Sequence, residues 1–171
     1  MSYKIFDPEV IEPLHQLSRT EAEKHFKLHL HSLDQRIQEL EKLTILENIK
    51  LDYTLESVEK LDSWFPSVIR ENHNLPNEPD GRSFSICNDL AIYFGEILIK
   101  KNKNISWQLN TLRKNDISYQ RPIITNFKNV KNKNYYIDFD LILCQYAHRI
   151  IQNKIEIGRL KRTLEAAIKK L

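Results

Sequence analysis

The chain has 171 residues, 41% of them hydrophobic and 29% charged, and a formal net charge of +3. This length and composition predict a single globular domain with one sizeable core and exclude a chain that is disordered by composition. No run approaches the roughly 18 apolar residues of a membrane span, and the start, MSYKIFDPEV, has neither the basic nor the apolar region of a signal peptide. We therefore expect a cytoplasmic protein with no membrane partner.

Residues 1–17 are predicted to form an irregular N-terminal arm. Pro8 and Pro13 fix the backbone and remove hydrogen-bond donors, which interrupts any regular helix or strand. The apolar side chains of this arm, Ile11 among them, are available to dock on the rest of the domain.

Two helices are predicted after the arm. Residues 18–21, SRTE, fit a capping box, and the apolar stripe that follows predicts a helix over about 19–46. Thr54 is placed to cap a second helix over about 55–71. Pro66 falls inside that helix and, because it removes a backbone hydrogen bond, predicts a kink or a new first turn.

The middle of the chain combines a polar loop with the most apolar segment. Residues 72–82 are rich in Asn, Pro, Asp and Gly and predict an exposed loop. The run that follows is apolar on most sides, which predicts a central buried helix over about 83–101. Lysines end this run, where the helix dipole favours positive charge.

Two segments beyond this helix, residues 105–109 and 122–127, have strand character and predict an antiparallel hairpin with a long loop. Residues 135–139 alternate with period two and are a candidate third strand. Because a two-stranded hairpin alone is marginally stable, we expect this third strand and the central helix to cover it.

The C-terminal segment, residues 140–171, is predicted to be helical, with Asp140 as its N-cap. Its apolar residues recur every seven positions: Leu143, Ile150, Ile157, Leu164 and Leu171. That spacing is compatible with one long helix that pairs with a second copy of the chain. Gly158 lies within the run, so two helices broken near 153–158 are an equal alternative.

All elements together predict a mainly helical α+β domain, in which four to five helices pack with a small antiparallel hairpin or three-stranded sheet.

Three histidines lie close together on the first predicted helix. His25 and His29 are four residues apart, and Glu21 precedes His25 by four, so the three side chains share a helical face that can chelate a metal ion. The preferred alternative is a charged face on which these histidines and His31 point into solvent. Because no second ligand cluster, H-E-x-x-H pattern or glycine-rich phosphate loop is present, we predict neither a metal site nor a cofactor.

Cys87 and Cys144 are the only cysteines, and their apolar neighbours predict small buried thiols in a reducing compartment. Neither belongs to a known nucleophile motif. We therefore assign no catalytic residue and predict that the protein is not an enzyme.

Asp138 and Asp140 point to the same side if residues 135–139 are extended, so they can hold a cation or act as paired carboxylates. The preferred interpretation is that they cap the following helix. An enzyme of an unrecognised type would instead gather these two carboxylates with Glu96 or His148 in one pocket.

The charge of the chain is unevenly distributed. Residues 1–80 hold 9 Lys and Arg against 16 Asp and Glu, and residues 81–171 hold 17 against 7, so the two halves carry −7 and +10. Complementary halves that pack on each other are the preferred interpretation, and a surface for nucleic acid or an acidic partner is the alternative. The candidate contacts of that surface lie near several aromatic residues and are Lys100, Lys101, Lys103, Lys128, Lys131 and Lys133.

A short pattern runs through the middle of the chain: Tyr93, Gly95 and Glu96 on the central helix, then Trp107, then Pro122. This order resembles small uncharacterised bacterial proteins with a Tyr-x-Gly-Glu helix followed by a tryptophan strand, some of which are grouped with toxin-immunity proteins. The resemblance implies a protein-binding, non-enzymatic role and supplies no catalytic residues.

The same residues also have a structural interpretation. Gly95 lacks a Cβ atom, so an aromatic ring, with Trp107 the obvious one, can approach the helix closely. Glu96 lies inside an apolar helix and is expected to reach solvent or to pair with Arg113 or Arg121, with pairing preferred.

We therefore predict a bacterial module that binds another protein stoichiometrically without catalysis, including the immunity-protein type. Binding of nucleic acid by the basic C-terminal half is the alternative, and an enzyme of an unrecognised type is the third hypothesis. A homo-oligomer formed through the C-terminal helix is compatible with all three.

Overall fold

The computed structural model describes residues 2–10 and 12–171, so the predicted docking of Ile11 lies outside the described residues. Within them the elements are α1 (Arg19–Thr44), α2 (Leu55–Val68), α3 (Gly81–Lys101), β1 (Ser106–Leu109), β2 (Pro122–Thr125), α4 (Phe139–Ile151) and α5 (Arg159–Ile168), with 3-10 turns at Leu14–Gln16 and Ile45–Glu47. The predicted mainly helical α+β class is confirmed. None of the described helices combines the length and the apolar character that crossing a membrane requires.

The central helix of the fold is α3, as predicted. It packs against α1 on one side and α4 on another, with α5 also in contact. Large side chains along its length, among them Leu90, Phe94 and Leu98, are fully buried because neighbours cover most of its circumference. Asp80 caps the helix by accepting a hydrogen bond from the Ser83 amide at 2.7 Å, so α3 begins two residues before the predicted start.

The predicted starts of α1 and α2 are confirmed by their caps. Ser18 and Glu21 form the capping box: the Ser18 amide donates to Glu21 Oε2 at 2.9 Å and the Glu21 amide to Ser18 Oγ at 3.3 Å. The Thr54 hydroxyl accepts from the Ser57 amide at 3.2 Å at the start of α2. Pro66 lies in the last turn of α2, which ends at Val68, and no new helix begins at the proline within the described part of the chain.

The sheet has two strands rather than three. β1 and β2 pair antiparallel, with Trp107 opposite Ile124 and Leu109 opposite Pro122. The third strand predicted over residues 135–139 is wrong, because this segment contributes only an isolated bridge between Ile137 and Ile124. The predicted cover by the central helix is present, since Gly95 of α3 lies against the Trp107 ring, and α1 also packs against β1.

The C-terminal segment forms two helices, which confirms the alternative of a break near 153–158. Gly158 precedes α5 with a φ of +74°, a left-handed conformation that glycine adopts without strain. The seven-residue stripe does not form one surface. Leu143, Ile150 and Leu164 are buried in the core of the same chain, whereas Ile157 is 93% exposed in the connecting loop.

The N-cap of α4 is Asp138 and not the predicted Asp140. The Asp138 carboxylate accepts from the Leu141 amide at 2.9 Å, and the helix begins at Phe139. This places Asp140 in the first turn, where its carboxylate is available for a different contact.

The N-terminal arm lies across α1 and α3 and is held at both ends. Near its start, the Phe6 amide donates to Ser85 Oγ at 2.7 Å and Tyr3 Oη donates to Asp89 Oδ2 at 2.6 Å. Near its end, Gln120 Nε2 donates to the carbonyl oxygens of Leu14 and Leu17 at 2.7 and 2.9 Å. The arm therefore forms a strap that is tied to the body at two separate points.

Candidate functional site

A cleft of ≈ 890 Å³ lies between the N-terminal arm, α1, α3, β1 and the first turns of α4. Its walls are mainly apolar, and the arm supplies one of them with side chains such as Phe6 and Leu14. Polar groups are few and come from separate elements. They include His25 and His29 from α1, Arg121 just before β2, and Asp140 and Cys144 from α4, with Glu12 and His15 from the arm.

The histidines of the cleft are buried, so the preferred expectation that they point into solvent is wrong. His25 is 7% exposed and His29 4%. They lie one helical turn apart, and His29 contacts the edge of Trp107 with ring centroids 4.8 Å apart. Nδ1 of His25 and Nε2 of His29 are both fully buried and have no hydrogen-bond partner among residues 2–10 and 12–171.

Both histidines are neutral at neutral pH. Burial lowers the pKa of His29 to about 3, with a further contribution from His25. Burial also lowers the pKa of His25, and the positive charge of Arg121 adds to the effect. Each neutral imidazole carries one donor and one acceptor nitrogen, so the pair can hydrogen-bond to a group of either kind.

The predicted third member of the histidine face lies elsewhere. Glu21 is exposed and its carboxylate is engaged in the capping box with Ser18. In the described part of the chain, no three His, Cys, Asp or Glu side chains are grouped so that they could hold a metal ion. His31 is exposed and its ring bonds to the Lys27 carbonyl at 2.7 Å.

A partly buried ion-pair cluster lies at one end of the cleft, which Arg121 and Asp140 line. Arg121 Nε donates to Asp138 Oδ2 at 2.7 Å, and Nη2 donates to Asp140 Oδ2 at 2.6 Å. Burial raises the pKa of Asp140, and the charge of Arg121 opposes that rise. The two carboxylates do hold a cation, as their spacing allowed, and that cation is a guanidinium.

The thiol of Cys144 donates to Asp140 Oδ1 at 3.6 Å. A hydrogen bond with Cys87 raises the pKa of Cys144, and burial raises it further. A protonated thiol is a poor nucleophile.

Two of the Tyr-x-Gly-Glu residues, Gly95 and Glu96, contact Trp107, which lines the cleft. A Cβ atom added to Gly95 would lie 2.2 Å from Trp107 Cζ2, which confirms that the glycine admits the indole ring. Trp107 Nε1 donates to Glu96 Oε1 at 3.0 Å. The expectation that Glu96 pairs with Arg113 or Arg121 is wrong, because Trp107 is its partner.

The other two residues of this pattern have structural contacts. Tyr93 Oη accepts from the Tyr53 amide at 2.8 Å and bonds to Ser57 Oγ at 2.8 Å, which joins α3 to the start of α2. Pro122 is the first residue of β2, opposite Leu109.

Replacing Gly95 by alanine is expected to lower the free energy of unfolding by about 1–3 kcal/mol, because the new methyl group collides with the indole of Trp107. Alanine has a higher helix propensity than glycine by about 1 kcal/mol. A lower free energy of unfolding in Gly95→Ala would therefore mean that the collision with Trp107 outweighs the gain in helix propensity. Urea unfolding measures the change. The matched control is Gly81→Ala in the same helix, where an added Cβ meets nothing within 4 Å. Equal stabilities of the two variants would contradict this account.

The lysines predicted to contact nucleic acid are exposed on two neighbouring loops and the end of α3. Lys128 Nζ donates to Asn104 Oδ1 at 3.1 Å, which links the two loops. Lys100 lies over the Tyr53 ring, 4.4 Å from its centroid. Two aromatic rings near these lysines pack against each other: Phe127 is buried and contacts Tyr135, with ring centroids 5.1 Å apart.

The residues proposed for an unrecognised enzyme are not all in the cleft. Of Glu96, Asp138, Asp140 and His148, only Asp140 lines it. His148 Nε2 instead bonds to Glu78 Oε2 at 2.7 Å.

One buried cluster beneath the arm was missed by sequence reasoning. Arg36 and Asp89 are 3% and 0% exposed and form a two-bond ion pair, with Nε to Oδ1 and Nη2 to Oδ2 both at 2.7 Å. Tyr3 and Ser85 complete the network. A usable signal was present, because Asp89 interrupts the apolar run of α3 and a carboxylate there requires a partner.

Comparison with known proteins gives one match. Neither the curated proteins nor the solved structures contain a significant match to this chain. A family model described as "Uncharacterised protein YwmA" matches residues 17–153, which include His25, His29, Arg121, Asp140 and Cys144 and exclude most of the arm. This match covers well over half of the 171 residues. The chain therefore belongs to the family of the uncharacterised protein YwmA.

Proposed function

We propose that the protein binds a small molecule in the cleft between the arm and α1. The observation that carries this proposal is the cleft itself, a cavity of ≈ 890 Å³ with mainly apolar walls on which polar side chains converge from the arm, α1 and α4. The imidazoles of His25 and His29 are among them, and a neutral imidazole can hydrogen-bond to a donor or to an acceptor.

The form of the cleft supports the same function. Ligand sites are typically concave and mainly apolar, with a few convergent polar groups. The arm gives this cleft a wall that is tied down at both ends, while residues 7–10 and 12–13 show no hydrogen bond to another element of the described chain.

Saturation-transfer NMR with a mixture of drug-sized fragments tests this proposal. We expect fragments to bind the natural chain and to lose binding in Asn88→Trp and Gly81→Trp, which place an indole among the residues that line the cleft. The matched control is Lys101→Trp, at an exposed position at the far end of the same helix. Absence of binding, or equal binding in all variants, would overturn the proposal.

A second candidate is the stoichiometric protein-binding role predicted from the sequence, including the immunity type. The observation in its favour is the pair Ile45 and Leu46, which are large, apolar, adjacent and exposed in the 3-10 turn after α1. This turn is separate from the residues that line the cleft. Protein binding would depend on Ile45 and Leu46, whereas ligand binding would depend on His25 and His29.

A further inference from the structure

We infer that the protein has a binding surface, separate from the cleft, for the phosphate backbone of double-stranded nucleic acid. This surface, called the lysine face below, is formed by the last turn of α3, the loop before β1 and the loop after β2. Its lysines are Lys100, Lys101, Lys103, Lys128, Lys131 and Lys133. None of these six lines the cleft, so the inference stands apart from the proposed ligand-binding function.

The antiparallel hairpin brings the lysines of two distant segments together. Ser106 at the start of β1 pairs with Thr125 at the end of β2, so the loop that enters β1 and the loop that leaves β2 lie at the same end of the sheet. Asn126 Nδ2 donates to Ser106 Oγ at 2.9 Å, and Lys128 Nζ donates to Asn104 Oδ1 at 3.1 Å. The six positive charges therefore gather at one end of the hairpin.

The rest of the chain does not neutralise the lysine face. Residues 97–137 hold nine Lys and Arg against a single carboxylate, Asp116, which accepts from Tyr136 Oη at 2.7 Å. All six lysines are exposed, and none of them forms an ion pair with any residue in 2–10 or 12–171. Their charges are therefore free to pair with an external anion, as contacts to a phosphate backbone require.

The surroundings of these lysines favour phosphates over a membrane. A segment that binds a membrane surface combines its basic residues with large apolar side chains that enter the lipid. No large hydrophobic side chain of 100–104 or 126–134 is exposed. Asparagines are interspersed with the lysines instead, in KKNKN and KNVKNKN. Amide side chains hydrogen-bond to phosphate oxygens and sugars, so these asparagines add to the same kind of contact.

The composition of the lysine face also disfavours a protein partner. Protein interfaces are depleted in lysine, and most of their binding energy comes from buried aromatic and arginine side chains. Residues 100–104 and 126–134 contain six lysines and no arginine.

The aromatic rings beside the lysine face favour a duplex over a single strand. Proteins that bind single strands stack the bases on aromatic side chains. Phe127 is buried and packs against Tyr135, and Lys100 lies over the ring of Tyr53, 4.4 Å from its centroid. Contacts to phosphates alone carry no information on base sequence, so we expect the duplex to bind independently of its sequence.

Fluorescence anisotropy with labelled DNA duplexes tests this inference. If four of the six lysines contact phosphates, the logarithm of the association constant falls with the logarithm of salt concentration at a slope of about −3.6, which is a loss of roughly 150-fold between 50 and 200 mM KCl. Two duplexes of equal length and unrelated sequence should bind equally. Absence of binding at 50 mM KCl, or binding that salt does not weaken, would overturn the inference.

Two triple variants with the same loss of net charge locate the contact. The first changes the lysine face by Lys103→Gln, Lys131→Gln and Lys133→Gln, and leaves Lys128 in place because it links the two loops. The control changes exposed lysines elsewhere, by Lys24→Gln, Lys27→Gln and Lys154→Gln. We expect the first variant to bind the duplex at least tenfold more weakly at 50 mM KCl, with a slope reduced by about 2, and the control to match the natural chain. Equal losses in the two folded variants, verified by thermal unfolding, would overturn the inference.

Two further probes separate the duplex from other polyanions. They are a single DNA strand of the same length and vesicles of phosphatidylcholine with phosphatidylserine. Tighter binding of the single strand than of the duplex, or binding of the vesicles without binding of the duplex, would overturn the inference. Because no lysine of this face lines the cleft, none of these outcomes decides the fragment experiment.

Discussion

Replacing Asp89 by alanine is expected to lower the free energy of unfolding by about 3–5 kcal/mol, because the guanidinium of Arg36 would remain buried without its carboxylate. Both side chains are almost completely inaccessible, at 3% and 0%, and two hydrogen bonds of 2.7 Å join them. Arg36 also donates to the Lys4 carbonyl at 2.8 Å, so the loss extends to the anchor of the arm. Urea unfolding at neutral pH measures the change.

Two comparisons identify buried charge as the cause. Glu23→Ala breaks the exposed pair between Arg19 and Glu23, whose side chains are 55% and 50% accessible, and is expected to cost less than about 1 kcal/mol. The double variant Arg36→Met with Asp89→Leu removes both charges and should recover most of the stability lost in Asp89→Ala. A loss in Asp89→Ala no larger than that in Glu23→Ala would contradict the prediction.

Acidification is expected to destabilise the protein through His29 by about 1.4 kcal/mol for each pH unit below 6.5. The pKa of His29 is about 3 in the folded chain, against an ordinary value of 6.5. Above pH 6.5 the residue is neutral whether the chain is folded or not. Below it the unfolded chain takes up a proton that the folded chain does not, so stability falls until the pH reaches about 3.

The variant His29→Leu removes this contribution. Its free energy of unfolding should fall less on acidification, by about 3 kcal/mol over two pH units, than that of the natural chain. His25, beside Arg121, acts in the same direction and stays in both proteins, so the difference reports His29 alone. His31→Leu serves as the control, because that histidine is exposed. Parallel pH profiles for the natural chain and His29→Leu would show that His29 is not held neutral.

The helices could be predicted from the sequence because their signals are local. Ser18 and Thr54 each lie next to the turn that they cap, so both helix starts could be predicted without reference to other elements. The Asp80 cap of α3 was missed, because that residue was assigned to the preceding loop. The strand predicted over residues 135–139 failed for the opposite reason. An alternating pattern shows that a segment can pair, but pairing requires a partner edge, and here contact is limited to Ile137 and Ile124.

Only part of the candidate site could be predicted from the sequence in this way. Helical spacing placed His25 and His29 on one face, which is correct, but it could not show what covers that face. The cover comes from the arm, from Trp107 and from the loop before β2, all distant in sequence. Likewise, the partners of Arg121 lie 17 and 19 residues away, so a choice between Asp138, Asp140 and Glu96 requires the fold.

The arm forms a wall of the cleft but is not part of the framework of helices and hairpin. The region shared with the family spans residues 17–153, so α1 to α4 and the hairpin lie within it, while almost all of the strap precedes it and α5 follows it. Substitutions in residues 5–10 and 12–14 would reshape one wall of the cleft without disturbing either the buried histidines or the core. Under the proposed ligand-binding function, substitutions meant to change which molecules bind would therefore be made first in the strap.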